Sequence, residues 1–94
     1  MAHYAWINPD NVVVNVSVGV DETVTQQGVG GSTEAWEQFY TQAINQEGVY
    51  VKRTSYNTYR DKDGVSLHKL NGTPFRGKYA GIGDTWNGTE FIEP

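Results

Sequence analysis

Valine occupies every even position from 12 to 20, and this alternation predicts the clearest strand of the chain. Because successive side chains of a strand point to opposite faces, we expect the valines to form one buried face. The apolar stretch at residues 3–7 predicts a partner strand. The segment between them, residues 8–11, contains Asn, Pro and Asp, which favour a turn. Together these segments predict an N-terminal antiparallel hairpin.

A single amphipathic helix is predicted after residue 31. Ser32 or Thr33 can cap its first turn, and Glu34 and Glu37 favour its positive end. Gly48 is a natural stop. We expect the apolar side of the helix to pack on the valine face. This apolar stripe consists of Trp36, Phe39, Tyr40, Ala43 and Ile44.

The remaining segments are mostly strands and turns. We interpret the glycine-rich residues 26–31 as a flexible connection, residues 49–56 as a strand and residues 61–64 as a turn. Residues 65–79 are ambiguous. Residues 86–89 predict a type I′ hairpin turn at Asn-Gly, with Trp and Phe sharing one face diagonally.

These elements predict an α+β fold for residues 1–94, which form a single domain. The fold is a small, mostly antiparallel β-sheet with N-terminal and C-terminal hairpins and one amphipathic helix packed on it. Valine, isoleucine and threonine make up 24 of the 94 residues, and these β-branched side chains suit a pleated sheet. A chain of this length has little stability margin, so we expect it to gain from assembly.

The charge balance and residue usage exclude several classes of protein. The net charge of −4, from 11 acids and 7 bases, argues against a nucleic-acid partner. No apolar run approaches the roughly 18 residues of a membrane span, and we expect no membrane partner and no secretory signal. The absence of cysteine excludes disulfides, zinc ribbons and thiol catalysis.

Four features resemble chemical sites, and each departs from the pattern that the chemistry needs. Residues 28–33 lack the lysine of a phosphate loop, and residues 61–64 lack the later ligands of a calcium loop. His3 and His68 have no acid at a metal-binding spacing. Helix-cap and turn roles account for the paired carboxylates, which are Glu34, Glu37, Asp61 and Asp63. We therefore expect no enzymatic activity, no metal site and no cofactor.

The most unusual stretch is residues 52–79, where four of the seven bases flank tyrosine and phenylalanine. Arginine with tyrosine is a typical composition of protein interfaces. A second interpretation also remains open, in which the aromatic residues complete the core and the bases stay in solvent. The candidate interface residues are Arg53, Tyr56, Tyr59, Phe75, Arg76 and Tyr79.

Three segments resemble a family of small virion-associated proteins of tailed bacteriophages, chiefly marine ones. They are RTSYNT at residues 53–58, NGTPFR at residues 71–76 and KYAGIGDTW at residues 78–86. The opening residues 1–5 match as well. Asp84 stands where the family usually has tyrosine, and Asn87-Gly88 shortens the final loop. The helix region shows no matching motif.

The resemblance implies a structural protein of the virion, made in the bacterial cytoplasm, and it brings no catalytic residue with it. We expect a capsid decoration (cement) protein that binds across subunits of the major capsid protein, ordered in a homo- or hetero-oligomeric assembly. One alternative is a tail, baseplate or fibre-attachment accessory protein that binds tail proteins. A further alternative is a host-directed binding module that is not packaged.

Overall fold

The structure is a computed structural model that describes residues 2–94. Within these residues it contains one α-helix and nine short strands, which confirms the α+β prediction. The strands of the first half are β1 (Ala2–Ile7), β2 (Val13–Gly19), β3 (Thr25–Gln26) and β4 (Val29–Gly30). The helix α1 (Thr33–Ile44) follows. The remaining strands are β5 (Tyr50–Thr54), β6 (Thr58–Arg60), β7 (Ser66–His68), β8 (Thr85–Trp86) and β9 (Phe91–Ile92).

The centre of the fold is strand β1, which pairs antiparallel with β2 on one side and with β5 on the other. Both faces of β1 are covered, because five of its six residues are apolar and they alternate between two clusters. Tyr4 belongs to a cluster on the helix side, whereas Ala5 and Ile7 belong to a cluster on the side of the C-terminal segment. The chain is therefore layered as helix, sheet and C-terminal segment.

Helix α1 begins and ends on local signals. The Ser32 hydroxyl accepts a hydrogen bond from the Ala35 amide at 3.1 Å, which confirms one of the two predicted caps. The helix stops at Asn45, which adopts the left-handed conformation (φ 49°, ψ 47°). The prediction of a stop at Gly48 was wrong, because asparagine tolerates this conformation and ends the helix three residues earlier.

The expectation that the helix packs on the valine face was wrong. Trp36, Tyr40 and Ile44 of α1 pack with Tyr4 and with Val51 of β5, whereas Phe39 and Ala43, the other two residues of the predicted stripe, are exposed. Val16 of β2 packs in the cluster on the opposite side of the sheet, and Val20, which follows β2, packs on the helix side. The pairing explains this, since Val16 lies opposite Ala5 while Ser17 lies opposite Tyr4. The face of β2 on the helix side of the sheet is therefore the polar one, with Asn15 and Ser17.

The five valines at the even positions from 12 to 20 are also not uniformly buried, contrary to the prediction. A β-bulge lies between two pairs of the ladder: Trp6 pairs with Asn15, and the next residue of β1 pairs with Val13, so that Val14 is skipped. Val13 is fully buried in place of Val14, which is exposed, and Val18 near the other end is exposed as well. The bulge breaks the period-two alternation that the sequence alone suggests.

The glycine-rich segment before the helix is a hairpin rather than a flexible connection. Strands β3 and β4 pair antiparallel across Gln27 and Gly28, both of which have positive φ (51° and 81°). This is the geometry of a type I′ turn, whose twist matches that of the strands. The hairpin is fixed to the helix because the Trp36 indole N–H donates to the Val24 carbonyl at 2.8 Å.

The C-terminal hairpin forms, but not with the predicted two-residue turn. Trp86 and Phe91 are direct partners with ring centroids 4.7 Å apart, so four residues make the loop. Within it, Gly88 has a positive φ and Asn87 does not. The Asn87 side-chain oxygen instead accepts hydrogen bonds from two amides of the loop, those of Thr89 and Glu90.

The buried Tyr4 hydroxyl predicts an alkaline loss of stability. Burial, with a smaller effect of Tyr40, raises the pKa of Tyr4 from 10.0 to about 12, and its hydroxyl donates to the Val20 carbonyl at 2.8 Å. A raised folded pKa means that this stabilisation is complete below pH 10 and is lost as the pH rises through 12. We expect Tyr4→Phe to lower stability at pH 7 by about 1 kcal/mol.

The same substitution should flatten the decline of stability above pH 10, because no hydroxyl is left to ionise at that position. Urea unfolding of both proteins at pH 8, 10 and 11 measures this. A Tyr4→Phe profile parallel to that of the wild type would contradict the assignment.

Candidate protein interface

Two buried threonines hold the second half of the chain together. The Thr54 hydroxyl accepts a hydrogen bond from the Ala80 amide at 2.9 Å, and the Thr58 hydroxyl accepts one from the Phe75 amide at 3.0 Å. The Thr58 carbonyl also accepts the Tyr79 amide at 2.9 Å. The irregular residues 75–80 are therefore ordered by hydrogen bonds to side-chain and backbone groups of β5 and β6 rather than by a strand of their own.

Glu37 is the centre of a partly buried ion cluster. Its side chain is only 6 % exposed, and one carboxylate oxygen accepts from the Arg76 guanidinium at 2.6 Å and from the Arg53 amide at 2.7 Å. The Lys52 ammonium lies 3.7 Å from the other oxygen. The role predicted for Glu37 at the positive end of the helix was therefore incomplete. A signal was present, since Glu37 lies three residues before Tyr40 and so shares the buried face of the helix.

Arg53, Phe75 and Arg76, three of the candidate interface residues, come together beside this cluster. Both guanidinium carbons lie over the Phe75 ring, 4.0 Å from its centroid for Arg53 and 4.8 Å for Arg76. Arg53 also pairs with Glu22 at 3.1 Å. These contacts join the helix, β5 and the C-terminal segment, so they give the three residues a role within the chain.

Tyr56 and Tyr79 form a second group, together with His3. The ring centroids of the two tyrosines are 5.5 Å apart, and the His3 ring lies 5.5 Å from Tyr56 and 5.6 Å from Tyr79. Tyr56 is exposed, whereas burial, with a smaller effect of Tyr56, raises the pKa of Tyr79. The Lys69 ammonium lies 4.8 Å from the centre of the Tyr56 ring. Tyr56 is thus the member of this group that a partner can reach.

Tyr59, the sixth candidate, lies on the two-stranded ribbon of β6 and β7. Its partner is Leu67, and both side chains are exposed. Alternation puts Val65, also exposed, on the same side as Leu67. We call Tyr59, Val65 and Leu67 the outer ribbon face. Tyr59 was predicted as a candidate but the two aliphatic residues were not, because the exposure of a strand face depends on what packs beneath it.

The inner side of the ribbon is polar. Thr58 is buried and its hydroxyl lies 2.8 Å from His68 Nδ1, while the Arg60 guanidinium donates to the Phe91 carbonyl at 3.0 Å. Surface antiparallel strands usually turn apolar residues inward and polar residues outward. The ribbon has the opposite polarity, and exposed apolar faces of this kind mark interaction sites.

Leu70 lies in the single 3-10 turn Lys69–Asn71 that follows β7, and it is fully exposed. It adopts the left-handed conformation (φ 60°, ψ 31°), which costs about 1–2 kcal/mol for a residue other than glycine. The fold therefore holds a large apolar side chain in water on a strained backbone. This arrangement makes Leu70 a further candidate for contact with another molecule.

Residues 2–94 also have features that bear on metal sites, membrane-spanning helices and turns. No group of three or more histidine or carboxylate side chains in this range could hold a metal ion. No helix in the same range has the length and apolar character needed to cross a membrane. Asp61 has the predicted turn role, since its side-chain oxygen accepts from the amides of Asp63 and Val65 at 2.9 Å each.

Comparison with known proteins adds no family assignment. A scan against protein-family models matches none of them, and searches of curated proteins and of solved structures find no match.

Proposed function

We propose that this chain is a structural protein of a bacteriophage virion, and specifically a capsid decoration protein that binds across subunits of the major capsid protein. The observation that carries the proposal is the reversed polarity of the β6–β7 ribbon. Its outer face exposes Tyr59, Val65 and Leu67 side by side, and fully exposed Leu70 follows. The buried cores of protein interfaces are more apolar than the rest of the surface and are enriched in tyrosine.

The distribution of charge supports an apolar contact rather than an electrostatic one. Five of the seven basic residues are engaged in ion pairs within the chain, and the net charge is −4. Those five are Lys52, Arg53, Arg60, Arg76 and Lys78. A partner that meets the outer ribbon face is therefore held by burial of apolar area, which is worth about 25 cal/mol per Å².

The segments that resemble the phage family support the same proposal in another way. Residues 53–58, 71–76 and 78–86 contact one another through Thr54 and Thr58. The resemblance thus covers the residues that build the scaffold beneath the ribbon. The chain is also thin, with extents of 42 × 30 × 18 Å, which suits a protein that lies flat on a shell and adds a modest contact many times over.

Quantitative mass spectrometry of purified particles tests the proposal, by counting this chain against the major capsid protein. One copy per capsid subunit, or one per three, is the expected result. A few copies per particle would place the protein in the tail instead. Absence from the particles would overturn a virion role and favour a host-directed module. Particles lacking the protein should also be less stable to heat and osmotic shock.

Substitution of the ribbon tests which surface makes the contact. We expect Leu67→Lys to lower binding to particles that lack the protein by at least about tenfold, because a charge would be buried in an apolar contact. Val29→Lys is the matched control, since Val29 lies on the other two-stranded ribbon and is 37 % exposed, against 38 % for Leu67. Equal binding of the two variants would contradict the assignment of the surface.

Leu70→Gly separates binding from stability. Glycine adopts the left-handed conformation without strain, so we expect this variant to gain about 1 kcal/mol of stability. It should nevertheless bind particles more weakly than the wild type, because the exposed apolar side chain is lost. Thermal unfolding and particle binding measured on the same samples check both effects.

A further inference from the structure

The two edges of the central sheet differ in how they are closed. On β5, the amides of Val51 and Arg53 point away from β1, and both are occupied. The Val51 amide donates to the Thr41 hydroxyl at 2.9 Å, and the Arg53 amide donates to the Glu37 carboxylate at 2.7 Å. Side chains of the helix therefore close this edge to any further strand.

The edge on β2 is closed only at its two ends. At one end the Val13 amide donates to the Asp84 carbonyl at 2.8 Å, and at the other the Val20 amide donates to the Tyr40 hydroxyl at 3.0 Å. Between them the Val16 amide donates only to the side chain of its own neighbour, Asn15, at 2.8 Å. The amides of Val16 and Val20 thus point away from β1.

Alternation along the strand places the Val18 amide on the same outward side. The Val18 side chain is 58 % exposed, and β2 is the last strand on this side of the sheet. Natural edge strands are usually protected by lysine, proline, an inward-pointing charge or a β-bulge. The bulge of β2 lies at Val14, and residues 15–20 contain none of these devices. The segment from Val16 to Val18 is therefore prepared to pair with another strand.

The β2 edge is self-complementary in sequence, so two copies of it can pair with each other. Because the outward amides after the bulge belong to Val16, Val18 and Val20, each antiparallel register that brings these groups together also puts valine opposite valine. In a dimer with two-fold symmetry, each contact between the two edges would occur twice. The segment carries no charge, whereas the chain as a whole carries −4, so this edge is where two like-charged copies can approach with little repulsion.

We propose that a second copy of this chain pairs antiparallel along the β2 edge, centred on residues 16–18, so that the two three-stranded sheets form one continuous sheet of six strands. In the free chain the Asn15 side-chain oxygen accepts the hydrogen bond of the Val16 amide. In the dimer this side chain rotates away, so that the amide can bond to the second copy. The contact is short and lies below the ~1,200 Å² of a standard interface, so the dimer is weak and forms fully only where the chain is concentrated. The proposal does not depend on the virion role.

Sedimentation of the purified full chain from about 10 µM to about 1 mM tests the pairing, since contacts of this size associate in that range. We expect a monomer at the low end and a dimer at the high end. Hydrogen exchange should slow at the Val18 amide as the concentration rises. A monomer at every concentration would overturn the proposal.

Two substitutions at Val18 identify the surface. Val18→Pro removes an outward amide and is compatible with an edge strand, and Val18→Lys adds a charge that each copy would present to the other. Both should abolish the dimer. Val65→Lys is the matched control, because Val65 is a valine with a similar exposure of 52 % and lies on the outer ribbon face. It should dimerise as the wild type does.

The outcomes separate this inference from the proposed function. A dimer that persists in both Val18 variants would mean that another surface makes the contact, and would overturn the inference. Val65→Lys should fail to bind particles while it still dimerises. Val18→Lys should fail to dimerise while it still binds particles in dilute solution. Thermal unfolding of each variant verifies that it is folded.

Discussion

Replacement of Glu37 by alanine should lower the free energy of unfolding by about 3–5 kcal/mol, the usual cost of removing one partner from a buried ion pair. The carboxylate accepts from the Arg76 guanidinium and from the Arg53 amide, and its side chain is almost fully buried. Without it, a guanidinium is left short of its counter-charge and a strand amide loses its acceptor. Urea unfolding followed by tryptophan fluorescence measures the effect.

Glu34→Ala is the control for this prediction. Glu34 lies one turn earlier on the same helix and is exposed, so its removal should change stability by no more than about 0.5 kcal/mol. A double variant, Glu37→Leu with Arg76→Met, should be less destabilised than the sum of the two single variants, since neither charge is left unpaired. A loss below about 1 kcal/mol for Glu37→Ala would show that water compensates for the cluster.

Gly30→Ala should cost about 3 kcal/mol, which combines backbone strain with overpacking. Gly30 has φ 99°, and a Cβ at this position would lie 2.4 Å from the Trp36 indole. The indole cannot move aside easily, because it is buried and its N–H is bonded to the Val24 carbonyl. The substitution should therefore separate the β3–β4 hairpin from the helix.

Gly28→Ala separates the two causes. Gly28 lies in the turn of the same hairpin with φ 81°, but a Cβ there would meet nothing within 4 Å. We therefore expect Gly28→Ala to lower the free energy of unfolding only through backbone strain, by about 1 kcal/mol. Thermal unfolding and near-ultraviolet circular dichroism of the two variants make the comparison. Equal losses would show that contact with Trp36 is not what requires glycine at position 30.

The ion cluster affects how assembly experiments on this protein are interpreted. Arg53→Ala or Arg76→Ala would disturb the scaffold as well as any partner contact, since both side chains bond within the chain. Loss of assembly in those variants would not identify a surface. Tyr59 and Leu67 are better positions, because their side chains project from the ribbon into solvent.

The two proposed surfaces together suggest how so small a protein can reinforce a particle. In these two proposals, the outer ribbon face would hold the chain to its partner, and the β2 edge would join one copy to the next. Each contact alone is modest, but copies that are fixed on a surface meet at a high effective concentration. A weak dimer in solution is therefore compatible with extensive pairing on a shell.

The amino-acid sequence by itself determined the features that depend on neighbouring residues. The turn at residues 8–11, the Ser32 cap and the turn at Asp61 all form as predicted, because each uses side chains that bond to backbone groups a few positions away. The α+β class and the helix also follow from local periodicity. Hydrogen bonds between near neighbours and the spacing of apolar side chains can both be predicted from the order of residues along the chain.

Only the tertiary structure decided which surfaces are buried and which are free. The bulge that buries Val13 and skips Val14, the burial of Glu37 and the exposed outer ribbon face all depend on segments far apart in the chain. Glu37, for example, meets Arg76 across 39 positions. Burial and charge pairing arise from such long-range packing, and a periodic pattern read along one strand or helix cannot specify what will lie against it.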